Sequence, residues 1–268
     1  KAFFQWKLGL IDQIFCVSEN DRLAFLKVSD TPTKPTGDPR YEQVMERLKE
    51  SRFKLDLNTP EPIFLFGSTW REDEAQLIPE FSNWIAKGVR LILVPHEPKA
   101  ETIAQIEEDL KNLKVESVRW SQMEGQIQLW NANSVLIVDR VGILAELYKV
   151  ATFAFIGGSF RKSVHSVMES LGCGNQVFVG PEIQNNREAI EFSKMPLEKN
   201  LSTDSIVTIV ESGDHLSEKI ANRIKWTPEQ RLKIRDHILS EMQGRLGASD
   251  RILNELKNNE KTRMLFNG

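Results

Sequence analysis

Short runs of consecutive apolar residues alternate with amphipathic helical segments through most of the chain. Runs such as PIFLFGS, VRLILVP, SVLIV, FAFIGG and QVFVGP are bounded by turn residues, and helical segments such as KAETIAQIEEDLKNL lie between them. A strand that is apolar throughout is buried on both faces, which is typical of a parallel sheet covered by helices. The alternation therefore predicts an α/β fold with a parallel sheet and helices on both of its faces.

Length and composition limit the number of domains and the kind of partner. The 268 residues, 40% of them hydrophobic, are enough for one large domain, or for one domain and a piece of another. A net charge of −3 argues against a general nucleic-acid binder, because such proteins are usually strongly basic. Cys16 and Cys173 have no metal-ligand spacing, so we expect two reduced thiols in a cytosolic protein.

The sequence contains no recognisable targeting or membrane-spanning segment. No apolar run approaches the ~20 residues that a spanning helix needs, and no signal peptide is present. The chain starts with Lys1 rather than methionine, and residues 2–26 already have the pattern of helix, strand and helix. We therefore expect the chain to be cut from a longer protein, with half of a two-domain site outside it.

The residues that follow the strands are the candidates for ligand binding, because ligands of parallel α/β sheets bind beyond the carboxyl ends of the strands. These junctions lie at residues 67–69, 95–97, 119–121, 139–142, 157–159 and 180–182. Ser68 or Thr69 is also predicted to cap the helix that follows its strand, EDEAQLIPEFSNWIAKG, whose first-turn acids Glu72, Asp73 and Glu74 suit the helix dipole.

The stretch FAFIGGSFRKSVHSVMES has the features of a phosphate site. Gly157 and Gly158 allow a ligand to approach the backbone closely. A helix that is predicted to begin near Ser163 offers amide groups and a positive dipole end to a phosphate, and Arg161 and Lys162 add positive charge. This junction therefore predicts phosphate binding.

Two further residues of this stretch extend the prediction to a nucleotide. His165 and Glu169 are four residues apart, so a helix would place them on one face. A carboxylate in the first turns of such a helix can accept hydrogen bonds from a ribose diol. His96, between Pro95 and the loop that follows, lies on the same expected ligand side. We therefore expect phosphate at the glycines and ribose at Glu169.

Simpler interpretations of the same residues remain open. Paired glycines after a strand are common in turns, the basic pair can be a solvated turn, and His165 can be a capping or packing residue. Other chemistries lack their motifs: the sequence has no GxSxG, no GxGxxG and no GxxxxGK[ST]. The four histidines have no metal-ligand spacing, so no metal site is predicted.

Several segments resemble the 3-deoxy-D-manno-octulosonic acid (Kdo) transferases. LILVPHEP, VLIVDRVGILAELYKVATFAFIGGSF and VHSVMESLGCGNQVFVGPEIQNNREAI occur in the order found in the carboxyl-terminal domain of that family. GSTWREDE resembles its AST-x-E-x-E strand end, GDPRY its hinge signature, and DQIFCVSENDRLAFL the end of its amino-terminal domain. The likeness runs from about Ile11 to Phe192.

The resemblance implies a GT-B glycosyltransferase, in which two Rossmann-like domains face each other across a cleft and the second holds the nucleotide. Such an enzyme moves Kdo from CMP-Kdo to a lipid A precursor, with no metal or cofactor and with a catalytic base in the amino-terminal domain. Together the residues and the resemblance predict a nucleotide site formed by Ser68, Thr69, Pro95, His96, Val141, Gly142, Ile143, Gly157, Gly158, Ser159, His165, Ser166, Val167, Met168 and Glu169.

The chain departs from the family pattern at four places. Many members have Arg at the position of His96, a glutamate at Ile143 and Asn at Ser166, and RKSV replaces a glycine-rich turn. Loss of the amide at residue 166 removes a group that both donates and accepts. Two alternatives to a Kdo transferase therefore stay open: a GT-B enzyme that uses another nucleotide sugar, such as a UDP-sugar, and a non-catalytic member of the family.

The resemblance also implies how the chain is divided. We expect the end of the acceptor domain over residues 1–30, a hinge over 31–58 where Pro32, Pro35 and Pro39 resist regular structure, the nucleotide-sugar domain over 59–225, and closing helices over 226–268. The parent protein is expected at the cytoplasmic side of the bacterial inner membrane, which it would contact through the missing amino-terminal part.

Overall fold

This computed structural model describes residues 6–50, 59–123, 126, 130–198 and 204–259. The chain divides into two compact units: the smaller comprises Lys1–Arg47 and Glu241–Gly268, and the larger comprises Leu48–Ser240. The assignment of segments to an acceptor part, a hinge and a nucleotide-sugar domain stays a prediction. Residues 51–58 of the expected hinge and the end of the expected closing helices, residues 260–268, lie outside the described ranges.

The smaller unit contains a short parallel strand pair. Strands β1 (Ile14–Cys16) and β2 (Thr33–Pro35) pair in register, and helix α1 (Glu19–Leu26) connects them. Ser18 caps α1, because its Oγ accepts from the amide of Asp21 while the Asp21 carboxylate accepts from the amide of Ser18. The expectation that the proline-rich passage resists regular structure is wrong at β2. Pro35 is the last residue of this strand, where its missing N–H removes no hydrogen bond between β1 and β2.

The larger unit is built on seven parallel strands, counted over the described residues. They are β3 (Ile63–Thr69), β4 (Arg90–Pro95), β5 (Glu116–Arg119), β6 (Ser134–Ile137), β7 (Phe153–Ile156), β8 (Gln176–Val179) and β9 (Val207–Ile209). Their order across the sheet is β5-β6-β4-β3-β7-β8-β9, and every neighbouring pair is parallel. The predicted parallel α/β fold is confirmed.

Helices follow most of the strands. In chain order they are α2 (Arg40–Lys49), α3 (Arg71–Leu77), α4 (Phe81–Ala86), α5 (Ala100–Asn112), α6 (Leu144–Tyr148), α7 (Met168–Gly172), α8 (Arg187–Phe192), α9 (Gly213–Ile220), α10 (Pro228–Gln243) and α11 (Ala248–Asn258). Within the described ranges, no helix combines the length and the apolar character that crossing a bilayer requires.

Both faces of the sheet are covered, as the apolar strand runs predict. Successive residues of a strand point to opposite faces, and Phe64, Leu65 and Phe66 of the central strand β3 are all fully buried. Phe64 and Phe66 pack with Trp84 of α4, at ring-centroid distances of 5.5 Å each, on one face. This aromatic packing joins α4 to the centre of the sheet.

Two helix predictions differ from the structure. The segment EDEAQLIPEFSNWIAKG is expected to form one helix, but it is divided into α3, a 3-10 turn over Ile78–Glu80, and α4. Pro79 lies in that turn, where its ring removes an amide donor and disrupts a continuous helix. Ser68 and Thr69 do not cap α3; the residue at its amino-terminal cap is Trp70.

Candidate nucleotide site

The candidate site lies where the direction of the strand order changes. The chain leaves β3 towards β4 on one side, whereas β7 lies on the other side of β3 and leads to β8. Such a change leaves a crevice beyond the carboxyl ends of the two central strands. The ends of β3 and β4 are in register at Thr69 and Pro95, and Gly67 of β3 is in register with Ile156 of β7. The predicted residues at these three strand ends are thus brought together.

Three rings from separate strand ends form a cluster, which we call the ring cluster: Trp70 after β3, His96 after β4 and His165 after β7. The ring centroids of His96 and His165 are 4.4 Å apart at an interplanar angle of 13°. Those of His96 and Trp70 are 4.5 Å apart. The ring cluster therefore brings together His96 and His165, which were both expected on the ligand side of the sheet, and adds Trp70, which sequence reasoning did not select.

His165 is held as a neutral ring. Its Nε2 accepts a hydrogen bond of 3.0 Å from the indole Nε1 of Trp70, so the proton of the neutral imidazole lies on Nδ1. Burial lowers the pKa of His165, and the neighbouring charge of His96 lowers it further. His165 therefore adds no positive charge at neutral pH, and it would offer a phosphate no charge stabilisation in this state.

Arg161 contacts Trp70 and Glu72. Its guanidinium carbon lies 4.3 Å from the centroid of the Trp70 ring, and its Nε lies 3.4 Å from a carboxylate oxygen of Glu72. A guanidinium over an indole face is attracted by the ring quadrupole. The charge of Arg161 is thus shared with an acid and a ring, whereas the exposed Lys162 lies beside it in the same turn.

Asp73 occupies backbone amides at the glycine pair, one of the two places where phosphate was predicted. Its buried carboxylate accepts hydrogen bonds from the backbone N–H groups of Gly158 (2.7 Å), Phe160 (3.1 Å) and Trp70 (2.9 Å). Burial raises the pKa of Asp73, and the three amide donors oppose that rise. In this structure the anion at the glycine pair is therefore a side chain of the protein. The sequence signal, an acid in the first turn of α3, was assigned to the helix dipole alone.

Gly157 and Gly158 are required by packing within the protein, whereas they were explained from the sequence by the close approach of a ligand. A Cβ at residue 157 would overlap the backbone carbonyl of Ser68. Gly158 has φ +88°, in the left-handed region, and a Cβ there would overlap the carbonyl of Ser163. Close approach of the protein's own backbone thus explains the pair without a ligand.

The helix after β7 begins later than predicted, at Met168 instead of near Ser163. The amide of Val164 donates to the carbonyl of Glu182, and that of His165 donates to the carbonyl of Gly157. These long-range bonds hold residues 164 and 165 outside the helix. The prediction that His165 and Glu169 share a helical face is therefore wrong.

Two asparagines that sequence reasoning missed support this segment. Asn185 accepts from the amide of Val164 (3.1 Å) and donates to its carbonyl (2.9 Å), and Asn186 donates to the carbonyl of His165 (3.0 Å). Asn186 also caps α8 through the amide of Ala189. The adjacent asparagines in the quoted block EIQNNREAI were the available signal.

The predicted site residues differ in accessibility. His96, Val141, Gly142 and Ser166 are exposed, and Ser68, His165 and Glu169 are half-buried. The others are buried: Thr69, Pro95, Ile143, Gly157, Gly158, Ser159, Val167 and Met168.

Ser159, a predicted nucleotide contact, is buried and hydrogen-bonded within the protein. It is fully buried, its hydroxyl donates to the carbonyl of Ile156, and its Oγ accepts from the amide of Gly180. Its side chain is thus bonded within the protein, and a ligand reaches the exposed and half-buried members more readily. The nucleotide-binding role of the whole set stays a prediction.

Sequence comparison identifies relatives, although no family model matches the chain. A 3-deoxy-D-manno-octulosonic acid transferase of Rickettsia conorii is 28% identical over 194 residues, which cover 70% of this chain and 40% of the relative. The transferase of Rickettsia prowazekii is 24% identical over 256 residues, or 89% of this chain and 53% of the relative. The chain thus spans about half the length of the curated relatives it matches.

Structure comparison agrees with the sequence. The C-terminal CMP-Kdo binding domain of WaaA from Acinetobacter baumannii superposes with a TM-score of 0.52 at 18% identity, over 75% of this chain and 96% of that domain. This likeness confirms the predicted fold, that of the second domain of a GT-B glycosyltransferase. The curated relatives confirm the resemblance found in the sequence: the chain is similar to 3-deoxy-D-manno-octulosonic acid transferases over 70–89% of its length.

Proposed function

We propose that this chain supplies the donor-binding half of a glycosyltransferase that moves Kdo from CMP-Kdo to a lipid A precursor in lipopolysaccharide biosynthesis. The observation that carries the proposal is the match to curated Kdo transferases over 70–89% of the chain. The position of the ring cluster, at the change in strand order where α/β sheets bind ligands, supports it.

In this proposal the nucleotide contacts the accessible residues of the site. His96, Val141 and Gly142 contact the cytidine side, and Ser166 and Glu169 at the start of α7 contact the phosphate and the ribose. Because Asp73 already binds the amides of Gly158 and Phe160, the phosphate is placed at the α7 side of the junction and not at the glycine pair. These assignments follow the exposure of each residue and its place at a strand end.

The proposed reaction is an inverting displacement at the anomeric carbon of Kdo. A base outside this chain deprotonates the acceptor hydroxyl, and CMP leaves as its phosphate gains negative charge. This chain binds and orients CMP, and none of its residues is assigned as the base. We also propose that the whole protein acts at the cytoplasmic side of the inner membrane, which it contacts through a part that this chain does not contain.

Replacing Glu169 by alanine is expected to weaken CMP binding to the 268-residue chain by about 10- to 100-fold. The substitution removes a charged acceptor of the ribose hydroxyls, and a hydrogen bond to a charged group contributes about 1.5–3 kcal/mol. Isothermal titration calorimetry measures the change. Glu218→Ala, an exposed glutamate on α9, is the matched control and should bind CMP as the parent does.

Equal CMP affinity in the parent and in Glu169→Ala would contradict the ribose placement. A thermal-shift panel of CMP, UDP and GDP tests the donor class: a response to UDP alone would favour a transferase for another nucleotide sugar. No response to any of the three would favour a non-catalytic family member.

A further inference from the structure

A cavity of about 300 Å³ opens beside the ring cluster, between the start of α3 and helix α5. Trp70 and Glu74 form one side of it, and Glu101, Thr102 and Gln105 of α5 form the other. Its volume is at the lower end of the range for small-molecule sites, about 300–1,000 Å³. It is therefore sized for one sugar ring or its side chain, and is too small for a complete nucleotide sugar.

Glu74 is a buried carboxylate with an unused oxygen at this cavity. It is 2% exposed, and its Oε1 accepts a 3.0 Å hydrogen bond from the hydroxyl of Thr69. Among the described residues, none donates a hydrogen bond to its Oε2, and Arg71 Nη1 lies 3.9 Å away. Arg71 itself is bonded to Asp109 by both of its terminal nitrogens. Oε2 can therefore accept a hydrogen bond from a hydroxyl group of a ligand in this cavity, and a bond to a charged acceptor is stronger than one between neutral groups.

The other groups of the cavity select the kind of ligand. Glu97 and Glu101 add carboxylates to the wall, and Arg71 adds one guanidinium, whose charge is shared with Asp109. The ammonium of Lys99 lies 2.6 Å from Glu97. Thr102 and Gln105 add uncharged polar groups, and Trp70 adds apolar surface. Acceptors beside an apolar wall suit hydroxyl groups on a carbon ring, whereas the excess of carboxylates repels phosphate and other anions.

We propose that this cavity binds the hydroxyl-bearing part of a sugar, with one hydroxyl donating to Glu74 Oε2. The inference rests on the proposed function only for the identity of that sugar, which is then the Kdo moiety of the donor. The acidic wall keeps the Kdo carboxylate outside, towards the ring cluster. Trp70 borders both the ring cluster and this cavity, so the two proposed contacts share one side chain.

The proposal is tested with free Kdo, so that nucleotide binding does not enter the result. The ¹⁵N-labelled 268-residue chain is titrated with free Kdo at pH 8, and the indole N–H signal of Trp70 is followed after its assignment with Trp70→Phe. We expect a saturable shift of that signal. Glu74→Gln should weaken the apparent affinity about tenfold, as expected for loss of one charged hydrogen bond. Thr102→Tyr, which fills the cavity from the surface of α5, should abolish the shift.

Glu108→Gln, an exposed residue of the same helix, is the control and should leave the titration unchanged. Absence of a shift in the parent, an unchanged titration in Thr102→Tyr, or a shift with inorganic phosphate and none with Kdo would each overturn the sugar site. Calorimetry with CMP tests the proposed function independently. If the chain binds Kdo and does not bind CMP, the cavity assignment stands and the nucleotide assignment is wrong. If it binds CMP and does not bind Kdo, the nucleotide assignment stands and the cavity assignment is wrong.

Discussion

Replacing Asp73 by asparagine should lower the free energy of unfolding of the larger unit by about 3 kcal/mol at pH 8. The carboxylate accepts from three backbone amides that come from two different strand ends, and two of them share Oδ2. An asparagine has one accepting oxygen and turns an NH₂ group towards an N–H donor. At least one buried amide is then left without an acceptor, and another loses a charge-assisted bond.

Urea unfolding followed by circular dichroism measures this loss. Asp236→Asn, an exposed aspartate on α10, makes the same chemical change and should alter the free energy of unfolding by less than about 0.5 kcal/mol. Equal stability of the two variants would show that the amides of Gly158 and Phe160 do not depend on Asp73. The phosphate site predicted at the glycine pair would then be open to a ligand again.

The larger unit should become more stable by up to about 3 kcal/mol as the pH falls from 8 to 5, through Glu74. Burial raises the pKa of Glu74 from 4.5 to about 7, against the weaker opposing effects of the Thr69 hydroxyl and the Arg71 charge. The folded chain therefore binds this proton more tightly than the unfolded chain. The stabilisation is complete below pH 4.5 and is lost as the pH rises through 7.

Comparison of Glu74→Gln with the parent isolates this contribution. Glutamine keeps an oxygen for the Thr69 hydroxyl and has no charge to bury, so at pH 8 the variant should be the more stable protein. The depressed pKa of His165 acts in the opposite direction, because acid must protonate a ring that the fold keeps neutral. That effect is common to both proteins and cancels in their difference. Parallel curves of stability against pH for parent and Glu74→Gln would contradict the prediction, and Glu108→Gln should follow the parent throughout.

The architecture could be predicted because its signal is local. Each of β3, β4, β6, β7 and β8 is an apolar run, and the segments between them have helical periodicity, so the parallel sheet follows from burial on two faces. The strand ends that meet at the candidate site also follow, since parallel strands end at one edge. His96 was selected for this reason, and the structure places its ring in contact with that of His165.

The details of the site could not be predicted because they depend on residues that are distant in the sequence. Asp73 precedes the amide of Gly158 by 85 positions, and nothing in the motif EDE distinguishes the buried Asp73 and Glu74 from the exposed Glu72. The start of α7 was misplaced for a related reason: Val164 and His165 bond to the loop after β8 instead of continuing a helix. The place of Trp70 in the ring cluster could not be predicted either, because His165, which accepts the hydrogen bond of its indole, lies 95 positions away.

The paired asparagines of the β8–α8 loop, Asn185 and Asn186, fix the position of a ring in the candidate site from outside that site. They set the path of the chain at Val164 and His165 from 21 positions away, through bonds to main-chain atoms alone. A substitution in that loop would displace the His165 imidazole and the His96 ring stacked on it, although neither asparagine belongs to the predicted site. Under the proposed function, donor preference would then depend on two residues that have no assigned contact with the donor.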